Sequence, residues 1–578
     1  MKSRLEILIL IPARGGSKGI PQKNVTLLNG KPLIYYAIQN AKAVAGAHVV
    51  VATDDVKIEN IARVYGINVI KRPSETATDA ATIDDVASYV RDEMEKQGRH
   101  FDVMITLQPT SPLLKKESLL LALDMFLSQH PDTIISASAQ RHLMWKEARG
   151  KMTPLYDSRV NRQSLDPVFV ENGAFVICRP ELIKQTRSRI GAEVVLFPIS
   201  DEESVDIDSA NDWMLANQIM KRKKVAFVTQ GNTHIGMGHV YRSMTLASRL
   251  IDQQILFFSH ADSDLGIEKI RQFNYPLETF VSEAELVQKL EDWKADIVIN
   301  DILDTDIKYI KQLKKRGFFI VNFEDTGEGA SQCDLLFNAL YEWSGTRSGE
   351  YYGYQYECLR DDIYLYPIKK EVKKDSENIL VGFGGIDAGN ATLKVLKSLS
   401  RLDLSGKTVH LVLGIGYQYV ESLEEFLMQM TQKDRVVAHR DVPMMSHFLY
   451  DADWVISGNG RMVYEAVSIA TPLIVFSQNE REMTHTFPKI CPGILYHGNI
   501  HHLSDKEIDE GLAFVQNGYK QRRRMNQALS EYAVEIRNGL NRIVDLLWEH
   551  YDRSRTQLHS GADTERTFAK YTEALSHR

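Results

Sequence analysis

Directly after the apolar run Ile7 to Ile11, the chain reads Pro12-Ala13-Arg14-Gly15-Gly16-Ser17-Lys18-Gly19-Ile20-Pro21-Gln22-Lys23-Asn24. Glycines at the C-terminal end of a strand let backbone N–H groups approach a phosphate closely, and Arg14, Lys18 and Lys23 supply charge to neutralise a triphosphate. The pattern is neither GxGxxG nor GxxxxGK[ST], which disfavours a nicotinamide cofactor and a P-loop ATPase. Asp206 and Asp208, separated by one residue on a strand end, point the same way and offer hard oxygen ligands for Mg²⁺. Asp208 also suits the cap of a helix starting near Ala210. Farther on, Gly236-Met237-Gly238-His239 follows another strand and opens a helix. The positive end of that helix favours neutral imidazole, the form a general base needs.

The elements that must position these residues alternate short β-branched runs with longer helical patterns. Ile7 to Ile11, Val49 to Ala52, Val103 to Leu107 and Thr133 to Ser136 read as strands of a mostly parallel sheet covered by helices. A helix from Ala210 to Met220 runs into the basic stretch Lys221 to Lys224, and a new strand, Val225 to Thr229, opens a second α/β unit. Strands near Ile297 and Val321 belong to its first lobe, Ile379 to Phe383 starts its second, and the charged segment Lys369 to Glu377 reads as the hinge. The expected division is 1–222, then 223–550 with lobes 223–370 and 371–550. Residues 551–578, charged and poor in aliphatic residues, read as a charged tail that is a weak helix, a packing segment or disordered, with no function assigned.

At 578 residues the chain exceeds one cooperative core, and 44% hydrophobic with 25% charged residues is ordinary for a globular protein. A net charge of −7 carries no basic excess, and the Lys and Arg residues are spread along the chain, so nucleic acid is not the expected partner. The first apolar run is too short for a membrane span. Four cysteines without paired spacing imply neither zinc nor a disulfide scaffold, so reduced thiols in the cytoplasm are expected.

Four motifs in order, IPARGGSKGIPQKN, QPTSPL (108–113), RQ with ENGAFVI (162–163 and 171–177) and VDIDSANDW (205–213), resemble acylneuraminate cytidylyltransferases over about 220 residues. The resemblance implies a Rossmann-like, GT-A-like nucleotidyltransferase domain, CTP as donor, a nonulosonic acid as acceptor and assembly into a homo-oligomer through this domain. It puts Arg14, Ser17, Lys18, Lys23 and Asn24 around the nucleotide, with Gln108, Thr110 and Ser111 lining the crevice for cytosine or ribose. Arg162, Gln163 and Asn172 fall on the acceptor side, where Arg162 could pair with a sugar carboxylate or join a surface ion pair. Thr82 and Asp79 sit where the family has a polar cluster, or cap the following helix.

The second half resembles the UDP-sugar hydrolase of pseudaminic acid biosynthesis and spore-coat polysaccharide glycosyltransferases, of two-lobed GT-B type. VGFGGIDAGNATLK (381–394) and SGNGRMVYEAVSIATPLIVF (457–476) carry the likeness beyond His239. It implies that Gly236, Gly238, Gly384, Gly385, Gly458 and Gly460 bring amides to a diphosphate, that Glu465 accepts ribose hydroxyls, and that a UDP-amino sugar is hydrolysed without a metal. A glycosyltransferase and an inactive binding or oligomerisation module remain the alternatives. The family's Asn-Gln pair is replaced by Gln478-Asn479-Glu480-Arg481-Glu482. In NFEDTGEGASQCDLLFNALY (322–341), Glu324, Asp325 and Asn338 either shape a sugar pocket or satisfy a turn.

Overall fold

The computed structural model describes residues 5–16, 19–73, 81–342, 347–440, 442 and 444–556. Its contacts divide the chain into two compact units, Met1–Arg222 and Lys223–Arg578.

The first unit is a seven-stranded sheet in the order Val194–Pro198, Thr133–Gln140, Val168–Cys178, Val103–Leu107, Ile7–Pro12, His48–Thr53, Asn68–Lys71. Only Val168–Cys178 runs antiparallel to its neighbours. Strand Ile7–Pro12 is buried on both faces, which explains its unbroken aliphatic run. The strand order reverses between Ile7–Pro12 and Val103–Leu107, so the loops after Pro12 and Leu107 flank a crevice at the sheet's C-terminal edge. Beyond the core, the hairpin Trp145–Ala148/Lys151–Pro154 and the start of Val168–Cys178 leave Trp145, Met152, Leu155, Phe169 and Val170 exposed.

The second unit holds two all-parallel sheets, each ordered outward from its first strand. One runs Leu277–Phe280, Gln254–His260, Lys224–Thr229, Ile297–Asp301, Phe319–Phe323, Leu335–Asn338, Glu350–Tyr352. The other runs Val436–Arg440, Thr408–Leu413, Asn378–Gly382, Trp454–Gly458, Leu473–Ser477, Ile494–Asn499. Each reverses beside its opening strand, between Lys224–Thr229 and Ile297–Asp301 in one and between Asn378–Gly382 and Trp454–Gly458 in the other. The protein is therefore α/β throughout, with a single nucleotidyltransferase-like sheet followed by two Rossmann-like lobes.

The expected end of the second lobe near 550 requires correction. The helix over 539–556 places Leu540, Ile543, Leu547 and Tyr551 in the core of the first lobe, so the chain crosses back. Spacings of three and four residues put this apolar stripe on one helix face. Tyr551 is 3% exposed and meets Phe319 edge-on, so of the readings for this stretch 551–556 takes that of a packed helical end and belongs to the lobe. The expected hinge is likewise pinned at its start: Lys369 donates to Ala452 O, and burial lowers its amine to about 8.

Candidate functional site

In the first unit, the turn after Ile7–Pro12 is tied back on itself. Asn24 Nδ2 donates to Arg14 O at 3.0 Å, and the Gly15 amide donates to Asp54 Oδ1 at 3.1 Å. Lys23 is buried, and its Nζ donates to Ile207 O at 2.5 Å and to Asp208 Oδ1 at 3.0 Å. Gly19 lies so close to the 206–208 segment that an added Cβ would stand 2.1 Å from Asp208 O. The Ile207 amide donates to Thr110 O at 2.8 Å, which brings the QPTSPL loop to the same place. The cationic loop, the loop after Val103–Leu107 and the Asp206–Asp208 segment thus converge.

Asp208 is not a cap: Ser209 caps helix Ala210–Lys221 through a capping box with Asp212, leaving the Asp208 side chain 76% exposed. Burial raises the Asp206 carboxyl above its ordinary range; a hydrogen bond from Thr110 opposes this and the charge of Asp208 adds to it. Asp206 Oδ1 and Ser111 Oγ are buried without hydrogen-bond partners. Two carboxylates, one with an unclaimed oxygen, fit a hard divalent cation. No cluster of three or more potential metal-binding side chains occurs among the described residues.

On the acceptor side, Asn172 is buried and donates to Ser204 Oγ at 3.0 Å. At Gly173 (φ 72°) an added Cβ would meet Gln108 Nε2 at 2.8 Å, so Asn172 adjoins the crevice. Arg162 and Gln163 sit on an exposed turn, Arg162–Ser164. Ser17, Lys18 and Asp79 fall outside the described residues. Thr82 caps helix Ile83–Lys96 in a capping box with Asp85. Sequence reasoning missed Arg72, a buried guanidinium that burial makes less basic and that feels the charges of Asp54 and Arg14. Its position just past strand Asn68–Lys71 was the available signal.

In the second unit, Gly236 (φ 79°) turns the loop so that helix Gly238–Arg249 starts beside the strand reversal. His239 Nδ1 lies 2.8 Å from Asp301 Oδ1. Asp301 ends strand Ile297–Asp301 and is gripped by Arg242 through Nε–Oδ2 at 2.8 Å and Nη2–Oδ1 at 2.5 Å. A buried carboxylate 2.8 Å from Nδ1 favours the tautomer that carries its proton there, leaving Nε2 unprotonated. Arg242 pulls the Asp301 carboxyl below its ordinary range despite complete burial. Asp301 and Arg242 escaped sequence reasoning because their pairing spans 59 positions.

The glycine loops of the two lobes face each other. An added Cβ on Gly385 would lie 3.6 Å from the Met237 amide, and Arg461 Nη1 donates to Gly238 O at 3.1 Å. Gly384 takes φ 80°, while Gly460 caps helix Arg461–Ile469 with open space around it. Glu465, expected at a ribose, is nearly buried with Oε1 3.3 Å from Arg360 Nε. Glu482 accepts the amides of Asn459 at 3.1 Å and Gln478 at 2.8 Å, and Gln478 Nε2 donates to Phe383 O at 3.0 Å. Asp325 and Asn338 satisfy their turn completely, bonding each other and Thr305. Glu324 does not: its Oε2 is buried and unpartnered.

Residues 8–154 match the cytidylyltransferase family profile. A CMP-N,N'-diacetyllegionaminic acid synthase of Legionella pneumophila is 30% identical over 239 residues, covering 39% of this chain and 100% of that protein. The chain belongs to the cytidylyltransferase family. N-acylneuraminate cytidylyltransferase A of Danio rerio is 34% identical over 231 residues, 38% of this chain and 52% of that protein. The matched stretches span about half the length of the first curated relatives. The structure of Acinetobacter baumannii MurG aligns with 57% of this chain and 99% of its own, at 12% identity and a TM-score of 0.43. Within the first unit, the profile takes in the glycine loop and QPTSPL but stops short of Asp206 and Asp208, which the fold returns to the same crevice.

Proposed function

We propose that the first unit transfers CMP from CTP to a nonulosonic acid with release of pyrophosphate. The observation that carries this reading is Lys23 Nζ, held between Ile207 O and Asp208 Oδ1 beneath the glycine loop. Negative charge concentrates at the α-phosphorus and on departing pyrophosphate, and fixed cations there lower the barrier without reorganising. Arg14, Lys18 and Lys23 neutralise the phosphates, Ser17 and Asn24 complete the loop, and Gln108, Thr110 and Ser111 hold the nucleoside. Asp206 and Asp208 would hold Mg²⁺, whose charge adds to that stabilisation. Arg162, Gln163 and Asn172 serve the acceptor; the activities of the Legionella and Danio relatives support an acid of the sialic or legionaminic kind, while a pseudaminic-type acid follows from the second unit's resemblance.

The exposed apolar arm around Trp145, Met152 and Phe169 is the face on which a second copy would pack, giving the homo-oligomer. The four buried, unpaired cysteines suit a reducing compartment such as the cytoplasm. No helix among the described residues is long and apolar enough to cross a membrane.

For the second unit, we infer hydrolysis of a UDP-linked amino sugar, with His239 Nε2 taking a proton from water as its oxygen attacks the anomeric carbon and UDP departs toward the glycine loops. The His239–Asp301 pair supports this. A binding module without turnover is favoured by one observation, the Glu482 carboxylate seated on the Asn459 and Gln478 amides. Incubating the full chain with UDP-sugars, with and without acceptors, separates the readings. Acceptor-free UDP release lost in His239→Ala means hydrolysis, acceptor dependence means transfer, and no release means binding alone.

A further inference from the structure

Glu324 follows strand Phe319–Phe323 with a left-handed backbone, φ 50°, and is 3% exposed. A bulky residue in that conformation carries strain that persists only where the surroundings over-determine it. Its Oε1 accepts the Ala339 amide at 2.9 Å and lies 3.3 Å from Arg242 Nη1, whereas Oε2 is buried without a partner. The same guanidinium grips both oxygens of Asp301, which in turn holds His239. The other groups facing Glu324 are Asp301, Glu357 in the 353–360 segment, Tyr341 beyond Ala339, and Tyr464 on helix Arg461–Ile469. Glu357 has its own counter-ion, Arg461, at 3.0 Å. Burial pushes the Glu324 carboxyl up to about 7 against the pull of Arg242.

One guanidinium shared by two buried carboxylates cannot neutralise both. When Glu324 is ionised it balances Arg242, and Asp301 keeps negative charge for the His239 ring. When Glu324 is protonated, the whole charge of Arg242 falls on Asp301 and the ring is held less firmly. We propose that Glu324 is a positioning residue of the second unit's site, acting through Arg242 to set how strongly Asp301 holds His239 and its Nδ1 proton. The proposal rests on the reading of His239 as that site's base. Glu324 touches no reacting atom: the proton from water goes to His239 Nε2, the Nδ1 proton stays against Asp301, and ionised Glu324 supplies the negative charge that balances the imidazolium.

Two readouts on the full chain test this. In UDP release, Glu324→Gln should lower kcat about tenfold with KM within about twofold, and should abolish the rise of kcat through pH ~7; Glu324→Asp should restore most of both. Wild-type kcat and pH profile in Glu324→Gln would overturn the proposal. The second readout needs no turnover: an infrared carboxylic-acid band titrating near neutrality should be missing in Glu324→Gln, and its midpoint should move upward in His239→Ala, because coupling between two sites is reciprocal. An unmoved midpoint would equally overturn it. If the wild-type protein releases no UDP, the reading of the reaction fails and the infrared midpoint alone decides the coupling. The His239→Ala comparison leaves Glu324 intact, so it stands even if Glu324→Gln does not fold.

Discussion

Lys23 and Asp208, 185 residues apart in the chain, meet with Nζ 3.0 Å from Oδ1, and Lys23 Nζ also binds the intervening Ile207 carbonyl. The glycine loop and the carboxylate segment are therefore one locus rather than two ends of a sheet.

Replacing Asp208 by Asn is expected to reduce pyrophosphate release at least 100-fold, because a charge that orders the nucleotide site is lost. The fold should persist: the Asp208 side chain is 76% exposed, and Asn keeps a carbonyl oxygen to accept from the buried Lys23 ammonium, so the melting temperature should fall by only about 2–4 °C. Parallel measurement of rate and melting curve checks both halves.

Gly19→Ala tests the close approach. A Cβ placed 2.1 Å from Asp208 O must force the loop away from the carboxylates. A loss of about 100-fold in kcat/KM is expected, from displacement of the nucleotide by about an ångström. Steady-state kinetics against CTP read this directly, and an unchanged kcat/KM would separate the loop from the site.

Asp206 predicts a pH dependence. Its folded-state carboxyl is raised by burial, so as pH falls it takes up a proton before an ordinary carboxylate does. A neutral carboxyl is a poor metal ligand, so the acidic limb of the rate profile should lie above the usual Asp range and move down as Mg²⁺ is raised. A limb insensitive to Mg²⁺ would detach Asp206 from the metal.

In the second unit, Asp301→Asn should cut UDP release by about 10²–10⁴-fold, since an amide no longer selects the Nδ1–H tautomer. It also leaves Arg242 buried with half its counter-charge, so a stability loss of about 3 kcal/mol is expected in urea unfolding.

Much of the first unit's site was legible because its signals are local: the glycines and cations follow strand Ile7–Pro12 directly, whereas Asp-x-Asp, expected on a strand end, lies in the irregular segment before helix Ala210–Lys221. Strand Val168–Cys178 was not, since its antiparallel insertion was read as the motif ENGAFVI and its first residues are exposed. Asp301 ends an apolar strand and looks like any strand-terminal residue until Arg242 and His239 reach it from the neighbouring helix. Glu324 was noticed beside Asp325 and Asn338, but only the backbone angle and the unpartnered oxygen separate it from them. The return of helix 539–556 to the first lobe depends on tertiary packing that no local composition announces.

The most direct measurement follows pyrophosphate release from CTP by the full chain with Mg²⁺ and a panel of nonulosonic acids, in wild type and in Lys23→Ala. The wild-type protein should release pyrophosphate with CTP and at least one such acid but not with ATP or GTP, and Lys23→Ala should lose about 100-fold or more. A preference for another nucleotide, or an undiminished rate without the Lys23 ammonium, would contradict a single cytidine-nucleotide centre built from that lysine and the two aspartates.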